Sequence, residues 1–477
     1  MINKLIVIGI DGMDFDLVKK YEDKLPTLSK MLKENNYPRL RSVFPADTTP
    51  AWSTIYTGVD PTVHGIINFV NVKDRDNSYK PFEFDDSAFK GKTFWDKLNE
   101  MGFSTTVLLP MNIKQGWGIN GTMITRPYKG EMHVFPKSKE SLYNPKISIL
   151  GTEAKFTSEA KLDFLKKDFF AKSDEEFRLT KLAIENENCD FLFSYFSTTD
   201  GLCHDFWRHC DENHPEYPGE NEHKNAIRDL YIKMDNHLAE IISMCPDTPL
   251  LVLSDHGHGA RPVYIARVNE MLHRFGYLEP KTGASGSKKK KKSLKGFIKK
   301  FALNFVARFG LPKWAVKIAR KVPVWKGIFA SGNDFDWDKT VAYLSDLSAL
   351  KNYSYGGIRV IADDDKKDAL CDEIIEKLKT VMIDENTPAF TWIKRTNTHY
   401  HGEYLNRYPE IIFQLDEMYG ADWNLGEELF EKKGFMHRLS PGAHRYETAV
   451  IASKGIILDK PQYEMTDVRD IILSVFK

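Results

Sequence analysis

The chain has 477 residues, of which 42% are hydrophobic and 28% are charged, and its formal net charge is zero. This length allows a large core with more than one lobe, and the composition is that of a soluble globular protein. The balanced charge excludes a general attraction to nucleic acid or to anionic membranes. The five cysteines form no C-x-x-C pair and the N-terminal apolar run is too short for a signal peptide, so we expect a cytoplasmic protein.

Strand-like and helix-like patterns alternate along the first half of the chain. Four short, continuous apolar runs predict buried parallel strands, at residues 4–10, 105–110, 189–197 and 248–254. Helical periodicity lies between them, notably at 174–187 and 222–244. This alternation predicts an α/β fold with a mostly parallel central sheet flanked by helices.

The stretch from 262 to 337 differs from the rest of the sequence. It contains the run SGSKKKKKS and then an amphipathic, lysine-rich pattern that predicts a helix over 293–310. We therefore predict a basic helical insertion or cap over 262–337, and a catalytic core formed by 1–261 and 338–477. The apolar face of such a helix is typical of packing on a core. The alternative is a weak contact with an anionic surface through 285–328.

Asp and His residues stand where the apolar runs end. Asp11 follows the first run, Asp200 follows the third, and Asp255 with His256 follows the fourth. His444 stands just before TAVIAS, a further apolar run. Because the carboxyl ends of parallel strands meet in one crevice, these side chains are expected to converge there. The pattern indicates a metal-dependent enzyme.

The spacing of Asp200 and His204 also fits a metal site. Residues four apart face the same side of a helix, so both side chains can bind one ion. The neighbouring pair Asp205 and His209 is rotated away from them, and His258 competes locally with His256. Carboxylates mixed with imidazoles suit zinc, with manganese or iron as alternatives.

A candidate nucleophile lies in the segment 42–66. Thr48 and Thr49 precede Pro50 at the predicted start of a helix, where free N–H groups form an anion site. Either hydroxyl could attack a bound phosphate, and either threonine could simply be the helix N-cap.

Five motifs in this order resemble the type I phosphodiesterase/nucleotide pyrophosphatase family of the alkaline phosphatase superfamily. They are IGIDG, TTPAWSTIYTG with PTVHGI, DGLCH at 200–204, LSDHGHG and GAHR. The resemblance implies the alkaline-phosphatase-like fold and two divalent ions, usually zinc. It also implies that Thr48 is the nucleophile and forms a phospho-threonine intermediate during cleavage of a small phosphodiester or nucleotide pyrophosphate, with no nucleic acid partner. By carry-over the first ion is held by Asp11, Thr48, Asp255 and His256, and the second by Asp200, His204 and His444.

One position departs from the family pattern. The family usually carries Asn three residues after its nucleophile, where the resemblance implies a contact with the phosphoryl oxygen, and Ala51 stands here. This leaves phosphomonoesterase and phosphonate hydrolase as alternatives on the same scaffold. A non-catalytic metal-binding protein that docks through its basic insertion is the alternative from another class. A dinucleotide-binding protein is disfavoured because IGIDGMD lacks the G-x-G-x-x-G pattern.

Overall fold

The computed structural model of the chain describes residues 2–68, 84–128, 130–150, 159–281, 335–345, 347, 352–432 and 440–477. Within these ranges, no helix has both the length and the apolar character that crossing a membrane would require. In chain order the α-helices of these ranges are α1 (Phe15–Lys20), α2 (Pro26–Glu34), α3 (Thr48–Thr57), α4 (Pro61–His64), α5 (Phe94–Glu100), α6 (Glu140–Tyr143), α7 (Ile147–Leu150), α8 (Leu162–Asn186), α9 (Thr198–Cys210), α10 (Ala226–Met244), α11 (Val268–Arg274), α12 (Asp364–Lys379) and α13 (Asp467–Ser474).

The central feature is a sheet to which the described residues contribute nine strands. In pairing order these are β18 (Gln462–Glu464), β2 (Arg39–Arg41), β17 (Ala449–Lys454), β7 (Leu250–Leu253), β1 (Ile2–Ile10), β6 (Cys189–Phe196), β3 (Thr105–Leu108), β4 (Gly121–Ile124) and β5 (Val134–Phe135). From β7 to β4 every neighbouring pair is parallel, while β17 and β5 run antiparallel to their neighbours. The predicted α/β fold with a mostly parallel central sheet is confirmed.

Strand β1 lies in the middle of this sheet and is buried on both faces. Ile6, Ile8 and Ile10 belong to one apolar cluster, whereas Leu5 and Val7 belong to another. This alternation follows from the two-residue period of a strand. Helices α2, α8, α9 and α10 cover the first face, and α3, α5 and α13 cover the second. Covering both faces explains why the strand is a continuous apolar run.

The described residues also form a second lobe with its own apolar cluster. Its antiparallel sheet has the order β10 (Ala342–Ser345), β11 (Tyr355–Val360), β13 (Ile411–Leu415) and β12 (Phe390–Arg395), and a smaller sheet has the order β14 (Tyr419–Asp422), β9 (Tyr264–Arg267) and β15 (Phe430–Lys432). Strand β9 and helix α11 come from the predicted insertion and pack within this lobe. The predicted basic helix at 293–310 lies outside the described residues, and the insertion boundary of 262–337 stays a prediction.

Helix α3 lies close to β1 at the carboxyl edge of the central sheet. Asp47 caps the helix by accepting the Thr49 N–H at 3.4 Å, and Gly58 ends it in the left-handed conformation at φ 68°. The fully buried Trp52 packs against Gly9, where an added Cβ would lie 2.5 Å from the indole ring. The missing side chain at position 9 therefore lets α3 hold Thr48 beside the end of β1.

This close approach can be tested by replacing Gly9 with alanine. The added methyl group overpacks a closed core against a rigid ring, so we expect the free energy of unfolding to fall by about 1–3 kcal/mol. Gly118→Ala is the matched control, because a Cβ at this exposed position meets nothing within 4 Å. Its free energy of unfolding should stay within about 0.5 kcal/mol of the wild type in a denaturant titration. Equal effects of the two substitutions would contradict the packing described here.

Candidate metal centre

Three carboxylates meet at the carboxyl edge of the central sheet. Asp11 follows β1, Asp255 follows β7, and Asp200 lies in the first turn of α9, just after β6. The Asp11 N–H donates to the Phe196 carbonyl at 2.8 Å, and the Gly12 N–H donates to Asp255 Oδ1 at 3.0 Å. These bonds tie the loops after three neighbouring strands together, which gives the expected convergence at strand ends.

The first cluster contains Asp11, Asp255 and His256. All three side chains are buried, and their ligand-type atoms lie within 4.8 Å of one another. His256 Nε2 is 3.3 Å from Asp255 Oδ2 and 3.6 Å from Asp11 Oδ1. Thr48 Oγ1 lies 3.2 Å from the same nitrogen, so a hydroxyl joins two carboxylates and an imidazole at this point.

The second cluster contains Asp200, His204, His258 and His444, whose ligand-type atoms also lie within 4.8 Å of one another. Asp200 Oδ1 is 3.3 Å from His204 Nε2, 3.2 Å from His444 Nε2 and 3.5 Å from His258 Nε2. The His204 and His444 Nε2 atoms are 2.9 Å apart. The rings of His444 and His256 stack with centroids 3.7 Å apart, so the two clusters lie side by side.

All four histidine rings place Nδ1 next to a backbone carbonyl, within hydrogen-bonding distance. In His204, His256 and His444 this makes Nδ1 the donor and leaves the Nε2 lone pair pointing into the cluster. The pairs are His204 with Gly442 at 3.0 Å, His256 with Gly257 at 3.0 Å, His258 with Ala443 at 3.2 Å and His444 with Ala46 at 2.9 Å. A ring held by its second nitrogen is the usual arrangement of a metal-binding histidine.

The three carboxylates also have the features of metal ligands. Within the described part of the chain, Asp11 Oδ1, Asp200 Oδ1 and Asp255 Oδ2 are buried and receive no hydrogen bond. A buried, unpaired carboxylate oxygen is costly, and a cation removes the cost. Two ligands of a tetrahedral zinc ion lie about 3.3 Å apart, which is close to the separations within both clusters. The residues therefore fit two divalent ions, with zinc, manganese or iron as suitable metals.

The pKa values of Asp11 and Asp255 in the ion-free protein also favour bound cations. Burial raises the pKa of Asp11 well above its usual value, and the charges of Asp255 and Asp200 add to this effect. Burial also raises the pKa of Asp255 to about 6, although His256 opposes the shift. The Tyr195 hydroxyl donates to Asp11 Oδ2 and partly offsets the repulsion. Three carboxylates packed this closely need positive charge.

The structure distinguishes Thr48 from Thr49. Thr48 is the first residue of α3 and directs its hydroxyl at His256, whereas the buried Thr49 donates its N–H to the Asp47 carboxylate. The expectation that one threonine is the N-cap is wrong, because Asp47 caps the helix. Ala51 is fully buried within an apolar cluster. A buried methyl group at this position offers no polar contact to a phosphoryl oxygen, so the alternatives on the same scaffold stay open.

The seven residues implied by the resemblance thus lie in the two expected groups. Asp11, Asp255 and His256 lie with Thr48, and Asp200, His204 and His444 lie together. Their roles as ligands stay a prediction. Tyr195 is not predicted from the sequence, because it looks like one more core residue of an apolar run. His258 is predicted only as a competitor of His256. The motif LSDHGHG could have predicted that His258 lies on the same side as His256, because alternate residues of a strand face the same side.

Two other groupings lie apart from these clusters. His209, from the alternative pair with Asp205, has its ring 6.0 Å from that of His223. His223 also lies near the carboxylates of Asp163 and Glu222. Both carboxylates are exposed, and exposed acidic groups of this kind are common without a bound ion. Neither grouping has the buried, unpaired oxygens of the two main clusters.

Comparisons with known proteins find a matching family and solved structures of similar fold. The sequence pattern of the Type I phosphodiesterase / nucleotide pyrophosphatase family matches residues 5–434. No curated protein matches the chain. Phosphonoacetate hydrolase from Sinorhizobium meliloti, solved with phosphonoacetate, aligns with a TM-score of 0.53 at 14% identity over 99% of this chain and 96% of that chain. Human ectonucleotide pyrophosphatase / phosphodiesterase 5 aligns with a TM-score of 0.50 at 14% identity over 99% and 94%.

The two solved structures share the fold of this chain, and the family match covers most of its length. The matched range includes the loops that carry Asp11, Thr48, Asp200 and Asp255. The chain therefore belongs to the type I phosphodiesterase/nucleotide pyrophosphatase family, a family of metal-dependent phosphoester hydrolases in the alkaline phosphatase superfamily.

Proposed function

We propose that this protein is a two-metal phosphohydrolase that cleaves phosphodiester or nucleotide pyrophosphate bonds through Thr48. The position of the Thr48 hydroxyl supports this function. It lies 3.2 Å from His256 Nε2, next to carboxylate oxygens for which the described part of the chain supplies no hydrogen-bond donor. In this proposal the ligands of one ion are Asp11, Thr48, Asp255 and His256, and those of the other include Asp200, His204 and His444. The free thiols of all five cysteines support the cytoplasmic location that we also propose.

The proposed reaction has two steps at one phosphorus atom. The Thr48 oxygen attacks phosphorus while the bond to the leaving oxygen breaks, which gives a phospho-threonine. Water then attacks the same phosphorus, the bond to Thr48 breaks, and the hydroxyl regains its proton. Bound divalent ions would lower the pKa of the hydroxyl and of the water, and would neutralise charge on the phosphoryl oxygens.

Helix α3 adds a contribution that does not depend on an ion. Thr48 is its first residue, so the attacking oxygen lies at the positive end of the helix dipole. Trp52 and Gly9 fix how closely this end approaches the sheet. A phosphoryl group bound at Thr48 would therefore face the N–H groups at the start of the helix.

A second candidate function is phosphonate hydrolysis, the activity in the name of the Sinorhizobium meliloti protein whose solved structure shares this fold. Arg126 lies 4.9 Å above the Tyr195 ring, whose hydroxyl contacts Asp11. Burial, followed by the charge of Arg126, lowers the pKa of Lys172 to about 8. Two cationic groups on the Asp11 side of the site would suit a substrate with a second anionic group. Phosphonates with a carboxylate and nucleotide pyrophosphates both meet this condition.

The two candidates differ in the substrates that the zinc-loaded protein should turn over. If the proposed function is right, kcat/KM for bis(p-nitrophenyl) phosphate should exceed that for p-nitrophenyl phosphate by at least about tenfold. Phosphonate hydrolysis instead predicts release of inorganic phosphate from phosphonoacetate. Protein that contains metal but is inactive on all three compounds and on nucleotide pyrophosphates would rule out both candidates.

Replacing Thr48 with alanine tests the nucleophile. We expect turnover of the best substrate to fall by about 10³-fold or more, because the group that forms the covalent intermediate is lost. Metal content should stay close to that of the wild type, since Asp11, Asp255 and His256 remain. Thr49→Ala is the matched control and should keep turnover within a few-fold of the wild type. Loss of turnover in Thr49→Ala but not in Thr48→Ala would refute the assignment.

The ionisation of Asp255 makes the stability of the ion-free protein depend on pH. In protein without ions its pKa is raised to about 6, so its carboxyl destabilises the fold as pH rises from about 4, where the unfolded chain ionises, to above 6. With chelator at pH 7, Asp255→Asn should therefore raise the free energy of unfolding by a few kcal/mol, on the order of 3, and the gain should vanish near pH 3.5.

Saturating zinc supplies the control for this prediction. The order of stabilities should reverse, because the wild-type carboxylate binds the ion and the amide does not. The measurement is thermal or denaturant unfolding of both proteins at several pH values, with chelator and with zinc. An Asp255→Asn variant that is less stable than the wild type with chelator at pH 7 would contradict the account.

A further inference from the structure

His258 lies in the second cluster, although the family resemblance does not include it among the ligands. Its ring is fully buried, and its Nε2 is 3.5 Å from Asp200 Oδ1. The His204 ring lies 4.5 Å away and the His444 ring 5.4 Å away, measured between centroids. The same carboxylate oxygen therefore has three imidazole nitrogens around it.

The backbone holds this ring firmly in place. β8 (Gly257–Ala260) pairs antiparallel with β16 (Gly442–Arg445), and His258 is directly opposite His444. Side chains of directly opposite residues lie on the same face of the pair. The His258 N–H also donates to Asp14 Oδ2 at 3.0 Å, and the Thr448 hydroxyl donates to the same oxygen. The position of His258 is thus set by strand register and by a buried carboxylate.

The chemistry of the ring is unusual for a residue that only packs. Nδ1 lies 3.2 Å from the Ala443 carbonyl, and Nε2 lies 3.4 Å from the Asp200 carbonyl and 3.5 Å from Asp200 Oδ1. Both nitrogens therefore face oxygen acceptors, but a neutral imidazole carries only one proton. With that proton on Nδ1, the Nε2 lone pair faces two oxygens. A cation between Nε2 and Asp200 Oδ1 would turn this repulsion into attraction.

We propose that His258 is a fourth protein ligand of the second metal ion, together with Asp200, His204 and His444. The inference rests on the proposed function, because it requires that the second cluster holds an ion. The second ion would then have four fixed protein ligands, whereas the first has three besides the Thr48 hydroxyl, which reacts in the proposed function. A fifth position on each ion would stay available to substrate or water. The two ions then differ in tightness: the second is retained when the first is removed.

Stepwise removal of zinc with a chelator tests whether the second ion is bound more tightly than the first. Zinc-loaded wild type is dialysed against rising concentrations of a chelator, and zinc per chain is measured by elemental analysis. We expect a plateau at one ion per chain in the wild type. His258→Gln should lose this plateau, because its second-site dissociation constant rises by at least about 10–100-fold. His209→Gln is the matched control, since His209 is also buried and lies on α9 outside the cluster, and it should keep the plateau.

The outcomes separate this inference from the proposed function. A wild type that binds no zinc overturns both. A wild type with two ions whose plateau persists in a folded His258→Gln variant overturns only the role of His258. A crystal structure of the zinc-loaded wild type needs no variant and decides the same point. An Nε2–zinc distance of about 2.0–2.1 Å supports the ligand role, and a distance beyond 3 Å overturns it.

Discussion

The mutual repulsion of three carboxylates, two of them fully buried and the third largely so, is the constraint on which the site depends. Asp11, Asp200 and Asp255 arrive at one edge of the sheet because their strands are neighbours, and each keeps one buried oxygen that has no hydrogen-bond donor among the described residues. Burial and the neighbouring charges raise the pKa of Asp11 in the absence of ions. Such an arrangement is costly in an apolar fold unless cations occupy it. The fold therefore places negative charge where two divalent ions would stabilise it.

The surrounding structure prepares the site for those ions. Backbone carbonyls fix the imidazoles so that each Nε2 points inward, and hydrogen bonds from Asp11 and Gly12 tie the loops together. Helix α3 brings its positive end to the same place, held by the contact between Trp52 and Gly9. These hydrogen bonds and packing contacts position the site but take no part in the proposed reaction. Together they fix the hydroxyl of Thr48, the proposed nucleophile, before a substrate arrives, which is the condition for electrostatic preorganisation.

The central sheet and the carboxylates at its edge could be predicted from the sequence, because the ends of strands follow from local patterns. Asp11 and Asp255 each follow a continuous apolar run, and the parallel-sheet rule brings such positions together. The sequence does not distinguish Thr48 from Thr49, since the choice depends on which residue caps the helix. His258 depends on the register between strands that are far apart in the chain, and Tyr195 looks like any other core aromatic residue. The chain length allows a second lobe, but the sequence does not show which strands form it, since β9 pairs with β14 and β15 from much later in the chain.

The most direct test of the central claim is the zinc content of the purified protein, measured together with its thermal unfolding. We expect two zinc ions per chain and a midpoint of thermal unfolding that falls on chelation and recovers when zinc is restored. The reason is that the carboxylates of Asp11, Asp200 and Asp255 repel one another once the ions are gone. A folded protein that binds no divalent metal, and whose midpoint does not respond to zinc, would contradict it.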